Sequence, residues 1–348
     1  MTAPPTNRTK VPGGASRARP APHLPSLLAD LLTPDGWAPY ASLPPAAALT
    51  RLTRGLARAA RRAQSAAQHQ DEQRGLQEAL RWLRPELGAA EVARQVGRYH
   101  RLQARRQAEE LLLAQGDPDV LVAWARFSGP APGQGELARL LDRGGGALVV
   151  SAHLGPMVYY PALLAWLLSR TGRATLPELL PVMNAPSSDL LLRQRDRFAR
   201  HQRCPITPLV KPPGGELALL RQIRAGLERG AWVLLQLDVL SGGGETCPLP
   251  LAGRPLRLPA LWGSVRLASR LGVPLLPVRA YRTRRGCPRL RIAPALASGP
   301  AGSGPRAETE HALARELAGV LETWLCADPA DWALLPAAWR LLAPPGGP

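Results

Sequence analysis

Between about Ala46 and Gln115, apolar residues recur every three to four positions with arginines between them, in three runs: ALTRLTRGLARAARRAQSAAQ, EQRGLQEALRWLRPEL and AAEVARQVGRYHRLQARRQAEELLLAQ. That period predicts amphipathic helices, each with one face turned to a core. After the turn-rich FSGPAPGQG the texture changes. GGGALVVSAH is a β-rich run introduced by glycines, and PMVYYPALLAWLLSR is helical. GELALLRQIRAGLERG predicts a helix ending at Gly230, and AWVLLQLD is a continuous apolar run closing on Asp238. Beyond the loop SGGGETC lie a helix in LPALWGSVRLASRLG, strands in VPLLPVRAY and RLRIAPAL, and a final helix in ETEHALARELAGVLETWLCADP. Short buried strands alternating with helices predict an α/β sheet covered on both faces. Ligands of such sheets bind outside the carboxyl ends of the strands, where His153 and Asp238 both fall.

This pattern divides the chain into a Pro/Arg-rich lead-in over 1–45, a basic helical region over 46–127 and an α/β core over 128–342, the last two forming one compact unit. The lead-in carries ten prolines in its first 46 residues and no apolar h-region, so it is expected to be disordered and not a secretory signal. Ala147 to Leu168 is long enough to span a bilayer, but His153, Gly155, Pro156 and Pro161 interrupt it, and it reads as a buried strand followed by a buried helix.

Charge narrows the partners. The net charge of +18 is carried almost wholly by arginine, and thirteen arginines lie between Arg51 and Arg106 against five acids. Such a surface favours polyanions: nucleic acid, anionic lipid headgroups or an acidic carrier protein. A specific nucleic-acid reader is disfavoured, because no recognition motif or interleaved aromatic stripe accompanies the charge. Cys204, Cys247, Cys287 and Cys326 stand far apart, without a CxxC pair or a histidine at ligand spacing, which argues against a metal site and against a disulfide framework. SGGGE lacks the GK[ST] of a P-loop.

The strand-to-helix junction HLGPMV is similar to the HFGNWE block of the lysophospholipid acyltransferase superfamily, in the branch of the lipid A biosynthesis (lauroyl/myristoyl) acyltransferases. Further blocks follow in the same order. LRPELGAAEVARQVGRYHRLQARRQAEELLL resembles the family's FPELS-type helical preface, and Met183 to Arg197 its asparagine-to-arginine helix. GELALLRQIRAGLERGAWVLLQLD resembles the helix and strand that end in a DQ pair, here Asp238 and Val239. CPLPLAGRPLRLPALWGSVRLASRLGVPLLPV resembles the VPFFG block with its helix and VVPV strand, and ADPADWALLPAAW the PEQW segment. The likeness covers roughly residues 50 to 342.

The resemblance implies a glycerolphosphate-acyltransferase-like fold, a mixed and mostly parallel sheet flanked by helices behind a helical preface. It implies transfer of a fatty acyl chain from an acyl carrier protein or coenzyme A thioester to a hydroxyl or amine of a lipid or glycolipid acceptor. The thioester is a co-substrate, and no other cofactor is expected. The protein would sit peripherally at the cytoplasmic face of the cell membrane, against anionic lipid. His153 would be the general base.

Two departures bear on this. The family's motif carries a carboxylate five residues after the histidine, where this chain has Val158, and no membrane-anchoring segment is visible. Asp238, Glu245 of the SGGGET loop or a backbone carbonyl is therefore needed to orient His153; otherwise the chain keeps the fold as an impaired enzyme that binds lipid or acyl carrier protein. Gly155 and Pro156 are expected to shape the turn, with Pro156 as the first helical residue. Asn184 and Arg195 are candidates for acceptor or donor binding, Arg195 as an anion contact to an acceptor phosphate or pantetheine phosphate. The plainer alternatives are a core histidine at 153, a loop cap at Asp238 and a solvated helix residue at Arg195.

Overall fold

The computed structural model describes residues 34–63, 66–126, 131–183, 191–192, 195–196, 203–210, 215–239, 248–296 and 306–342. The basic runs fold as predicted into α2 (Pro45–Ala63), α3 (Ala66–Leu83) and α4 (Ala89–Gln115). In α2 the spacing explains why: Leu49, Leu52 and Leu56 fall on one face and are buried, while Arg51, Arg54, Arg58 and Arg61 share the exposed face. The end of the expected lead-in is also helical, as α1 (Pro34–Ala41). Trp37 and Tyr40 stack there with centroids 5.8 Å apart and pack against buried core, and Arg51 of α2 lies over the Tyr40 ring. Two aromatic side chains are enough to dock so short a helix.

After α5 (Pro118–Arg126) and α6 (Gln134–Arg143), the chain alternates strand and helix: β1 (Ala147–Ser151), α7 (Tyr160–Ser169), β2 (Leu179–Met183), β3 (Leu209–Val210), α8 (Glu216–Glu228) and β4 (Trp232–Gln236). A hairpin of β5 (Leu249–Leu251) and β6 (Arg254–Leu256) leads to α9 (Pro259–Leu271), β7 (Leu275–Arg282) and β8 (Pro288–Ile292). The chain then closes with α10 (Arg306–Ala327), a 3-10 turn over Pro329–Asp331 and α11 (Leu335–Leu342). Among the described residues six strands form one sheet in the order β3-β2-β4-β1-β7-β8, with every pairing parallel except β7 to β8. The α/β class and the mixed, mostly parallel sheet flanked by helices are thus observed.

The strands alternate between two apolar layers: Leu148 and Val150 of β1 belong to one, Ala147 and Val149 to the other. Helices α8, α9, α10 and α11 fill the first layer, and α2, α6 and α7 the second. Helix α4 joins both. Its Val92, Val96 and Tyr99 are buried in the first layer and its Ala104, Ala108 and Leu111 in the second, so this one helix ties the basic region to both faces of the core.

The expectation for Pro156 is corrected. It adopts φ −82° and ψ 59°, outside the helical region, and precedes a 3-10 turn over Met157–Tyr159. The left-handed Gly155 turns the chain first, and α7 starts only at Tyr160, with Pro161 in its first turn. The apolar stretch from Ala147 to Leu168 is accordingly strand, turn and helix, and no helix among the described residues is long and apolar enough to cross a membrane.

Where β7 ends, Arg282 forms a bidentate pair with the fully buried Glu109 of α4, Nε to Oε1 at 2.8 Å and Nη2 to Oε2 at 2.6 Å, and donates from Nη1 to Asp331 at 2.8 Å. Burial works against the Arg282 charge, but the two carboxylates outweigh it and hold its pKa above the ordinary arginine value. Removing one partner of a buried pair leaves the other charge uncompensated, so Arg282→Met is expected to cost about 3 kcal/mol in a urea titration. A loss under about 1 kcal/mol would show that this network is not holding α4 to the sheet.

Candidate catalytic corner

Strand register brings the two candidate catalytic residues together. The last β1–β4 pair is Ser151 opposite Gln236, so His153 and Asp238, each two residues farther on, leave the sheet side by side. The Leu237 N–H continues the ladder to Ser151 O at 2.8 Å, which keeps the next residue against β1. Asp238 is buried, and its carboxylate meets three N–H donors. Oδ2 accepts from the His153 backbone N–H at 2.9 Å and from Trp332 Nε1 at 2.7 Å; Oδ1 lies 2.8 Å from His153 Nδ1.

That pattern fixes the imidazole. An ionised carboxylate accepts only, so the contact at Oδ1 is made by Nδ1–H, and in the neutral ring Nε2 is left as the acceptor. The His153 side chain is 24% exposed against 1% for Asp238, so the ring is anchored on its buried side and open on the other. Nε2 has no hydrogen-bond partner among the described residues. Of the three sequence alternatives for orienting His153, Asp238 makes the contact. Glu245 lies outside the described residues, as does Asn184.

Local backbone is arranged around this contact. Gly155 has φ +66°, and a Cβ there would stand 2.2 Å from the carbonyl oxygen of Ala280 on β7, so this turn excludes any other residue on two grounds. Leu154 forms an antiparallel bridge with Trp332: Gly155 N–H donates to Asp331 O at 3.2 Å and Ala333 N–H to His153 O at 2.7 Å. Val158 packs, partly buried, against the second apolar layer. Arg195 is at the surface, and its guanidinium pairs with the neighbouring Asp196 at 2.8 Å; no contact joins it to His153 or Asp238.

Trp332, whose ring orders the far side of Asp238, was not singled out by sequence reasoning. One signal for it exists: an indole that is buried needs an acceptor for its N–H, and DW stands in the tail segment just before an apolar helix. Which acceptor it finds depends on a contact across 94 residues. Among the described residues no group of three or more His, Cys, Asp or Glu side chains is placed to hold a metal ion.

Gly155 can be tested against a matched control. Gly172 has a similar left-handed φ of +75°, but a Cβ added there would meet nothing within 4 Å. Both alanine variants incur the cost of a left-handed backbone, and only Gly155→Ala also meets the β7 carbonyl, so it is expected to be less stable than Gly172→Ala by about 2 kcal/mol or more. Equal denaturation midpoints would contradict the close packing of this turn.

Comparison with models of known protein families gives no match, and comparison with curated protein sequences gives none either.

Proposed function

We propose that the chain is an acyltransferase with a glycerolphosphate-acyltransferase-like fold. It moves a fatty acyl chain from an acyl carrier protein or coenzyme A thioester to a hydroxyl or amine of a lipid or glycolipid acceptor. The single observation that carries the reading is the His153 Nδ1 to Asp238 Oδ1 contact of 2.8 Å, at the carboxyl edge of the sheet, with Nε2 left as the base. The ordered sequence blocks around HLGPMV supply the reaction class.

In this mechanism Nε2 takes the proton of the acceptor hydroxyl or amine as its oxygen or nitrogen attacks the thioester carbonyl. The tetrahedral adduct collapses by breaking the carbon–sulfur bond, and the departing thiolate takes the proton back from Nε2–H. An imidazole suits both transfers because its ordinary pKa lies near neutrality. Asp238 keeps Nδ1 protonated and stabilises the imidazolium formed midway. The backbone N–H groups of His153, Leu154 and Gly155 are all engaged, by Asp238, Ala152 O and Asp331 O, so the developing oxyanion must find its donors elsewhere.

The exposed arginines of α2 offer the acceptor's membrane an electrostatic foothold, each worth roughly 1 kcal/mol near an anionic surface, in keeping with a peripheral protein at the cytoplasmic face. The competing reading, an impaired enzyme that only binds lipid or acyl carrier protein, is motivated by Val158. The Asp238 carboxylate beside His153 supports the catalytic reading over it.

The test is thioester loss and acyl-lipid formation with long-chain acyl thioester and extracted lipid. His153→Ala should fall to background, and Asp238→Asn should lose about 10⁴-fold, as when a triad histidine loses its carboxylate. Val158→Glu should give no gain, because the orienting position is filled and the new carboxylate enters an apolar layer. Wild-type turnover no faster than His153→Ala would end the catalytic reading and leave the binding one.

A further inference from the structure

Helix α4 reaches the catalytic corner from behind, through three side chains that each donate to a backbone carbonyl. Arg106 is buried at 6% exposure; its Nε donates to Gly155 O at 3.2 Å and its Nη2 to Asp331 O. Tyr99 Oη and Gln103 Nε2 both donate to Ala333 O, at 3.2 and 3.3 Å. Those acceptors lie in the two segments that make the Leu154–Trp332 bridge, one carrying His153 and the other Trp332. Arg106 therefore spans the end of that two-strand ladder, its Nε–H on one segment and its Nη2–H on the other. Tyr99 and Gln103 hold the opposite end, at Ala333, the residue whose N–H donates to His153 O.

We propose that Arg106, supported by Tyr99 and Gln103, is a positioning residue that sets the distance between the His153 segment and the Trp332 segment, and through it the three-donor cradle of Asp238. The inference rests on the proposed acyl transfer only for its kinetic consequence; the geometric claim concerns the His153 ring itself.

The surroundings suit this role. Burial pulls the Arg106 guanidinium below its ordinary pKa, and the Asp331 carboxylate, 3.4 Å away at Oδ1, offsets part of that cost. Asp331 is in turn held by Arg282, and Arg282 by Glu109, which lies on α4 less than one turn from Arg106. The charge is thus built into a closed circuit between α4, β7 and the 3-10 turn, and the ladder cannot slide without breaking it. A planar fork that bonds two carbonyls at once has no lysine equivalent, since an ammonium is a point donor. Burial also raises the Tyr99 phenol far above its usual pKa, so its hydroxyl stays a donor.

The test uses the full chain with ring-labelled histidine, reading the His153 tautomer by nuclear magnetic resonance alongside thioester turnover. Arg106→Lys keeps the charge, Tyr99→Phe removes only a hydroxyl, and Leu137→Ala, in the distant α6, serves as a control destabilised by a core cavity. Arg106→Lys is expected to populate the Nε2–H tautomer of His153 and to lower kcat by about 10- to 100-fold with KM within about twofold, the range for losing an outer group that orients an imidazole. Tyr99→Phe should move both readouts the same way by less, and Leu137→Ala should move neither. If Arg106→Lys and Tyr99→Phe lower Tm as Leu137→Ala does but leave the tautomer and kcat at wild-type values, the residues are merely structural and the proposal is overturned. If wild type shows no turnover, the acyltransferase reading fails, and the tautomer populations still decide the positioning claim.

Discussion

A buried carboxylate must be satisfied, and the requirement at Asp238 organises the end of this sheet. Three N–H groups answer it, from the His153 backbone, the His153 ring and the Trp332 indole. Each comes from a different constraint. The β1–β4 register puts His153 level with Asp238, the left-handed Gly155 lets the chain leave β1 without striking β7, and the tail after α10 returns to the sheet edge to bring Trp332 across. Loss of any donor leaves a buried anion short of a partner, which costs more than a surface hydrogen bond contributes. The contact that stabilises the fold there is the same one that directs the histidine.

Charge has two separate uses in the molecule. Outside, arginines on α2 form a solvated basic face. Inside, Arg106 and Arg282 are matched against Glu109 and Asp331, with the partly exposed Arg105 also on Glu109, in a circuit that ties α4 to the strand ends. The overall charge of +18 describes the first use and says nothing of the second. Helix α4 connects them, since it carries exposed Arg94 and Arg101 on one side and the buried guanidinium of Arg106 on the other.

How much of this was legible in the sequence follows from the range of each interaction. β1 and β4 were readable as continuous apolar runs, and α8 and α9 as helices stopped by Gly230 and Gly272, because apolar period and left-handed glycine are local signals. β2 was not, since LLPVM places Pro181 inside a short run, and a proline ordinarily argues against a strand. Pro156 does not open the helix, a position a local rule would give it, because β7 lies beneath the turn and the chain first passes it through the left-handed Gly155. His153 and Asp238 were both visible as strand-end residues, and the sequence left Asp238, Glu245 and a backbone carbonyl as candidates to hold the ring. The choice lay in register across 85 residues, and the roles of Trp332 and Arg106 in contacts across 94 and 225. No residue period encodes those separations.

The motif position of the family resemblance is apolar here, and a carboxylate from another strand meets the same imidazole nitrogen that an orienting acid must meet. Because the role is defined by geometry and not by sequence spacing, a shifted acid is chemically equivalent if it acts through the histidine. A double-mutant cycle tests that most directly: turnover of an acyl thioester by wild type, His153→Ala, Asp238→Ala and the double variant. The account predicts that Asp238→Ala slows turnover severely in the wild-type background and has no further effect once His153 is gone. An equal slowing in both backgrounds, or a wild-type rate no higher than that of the double variant, would contradict it.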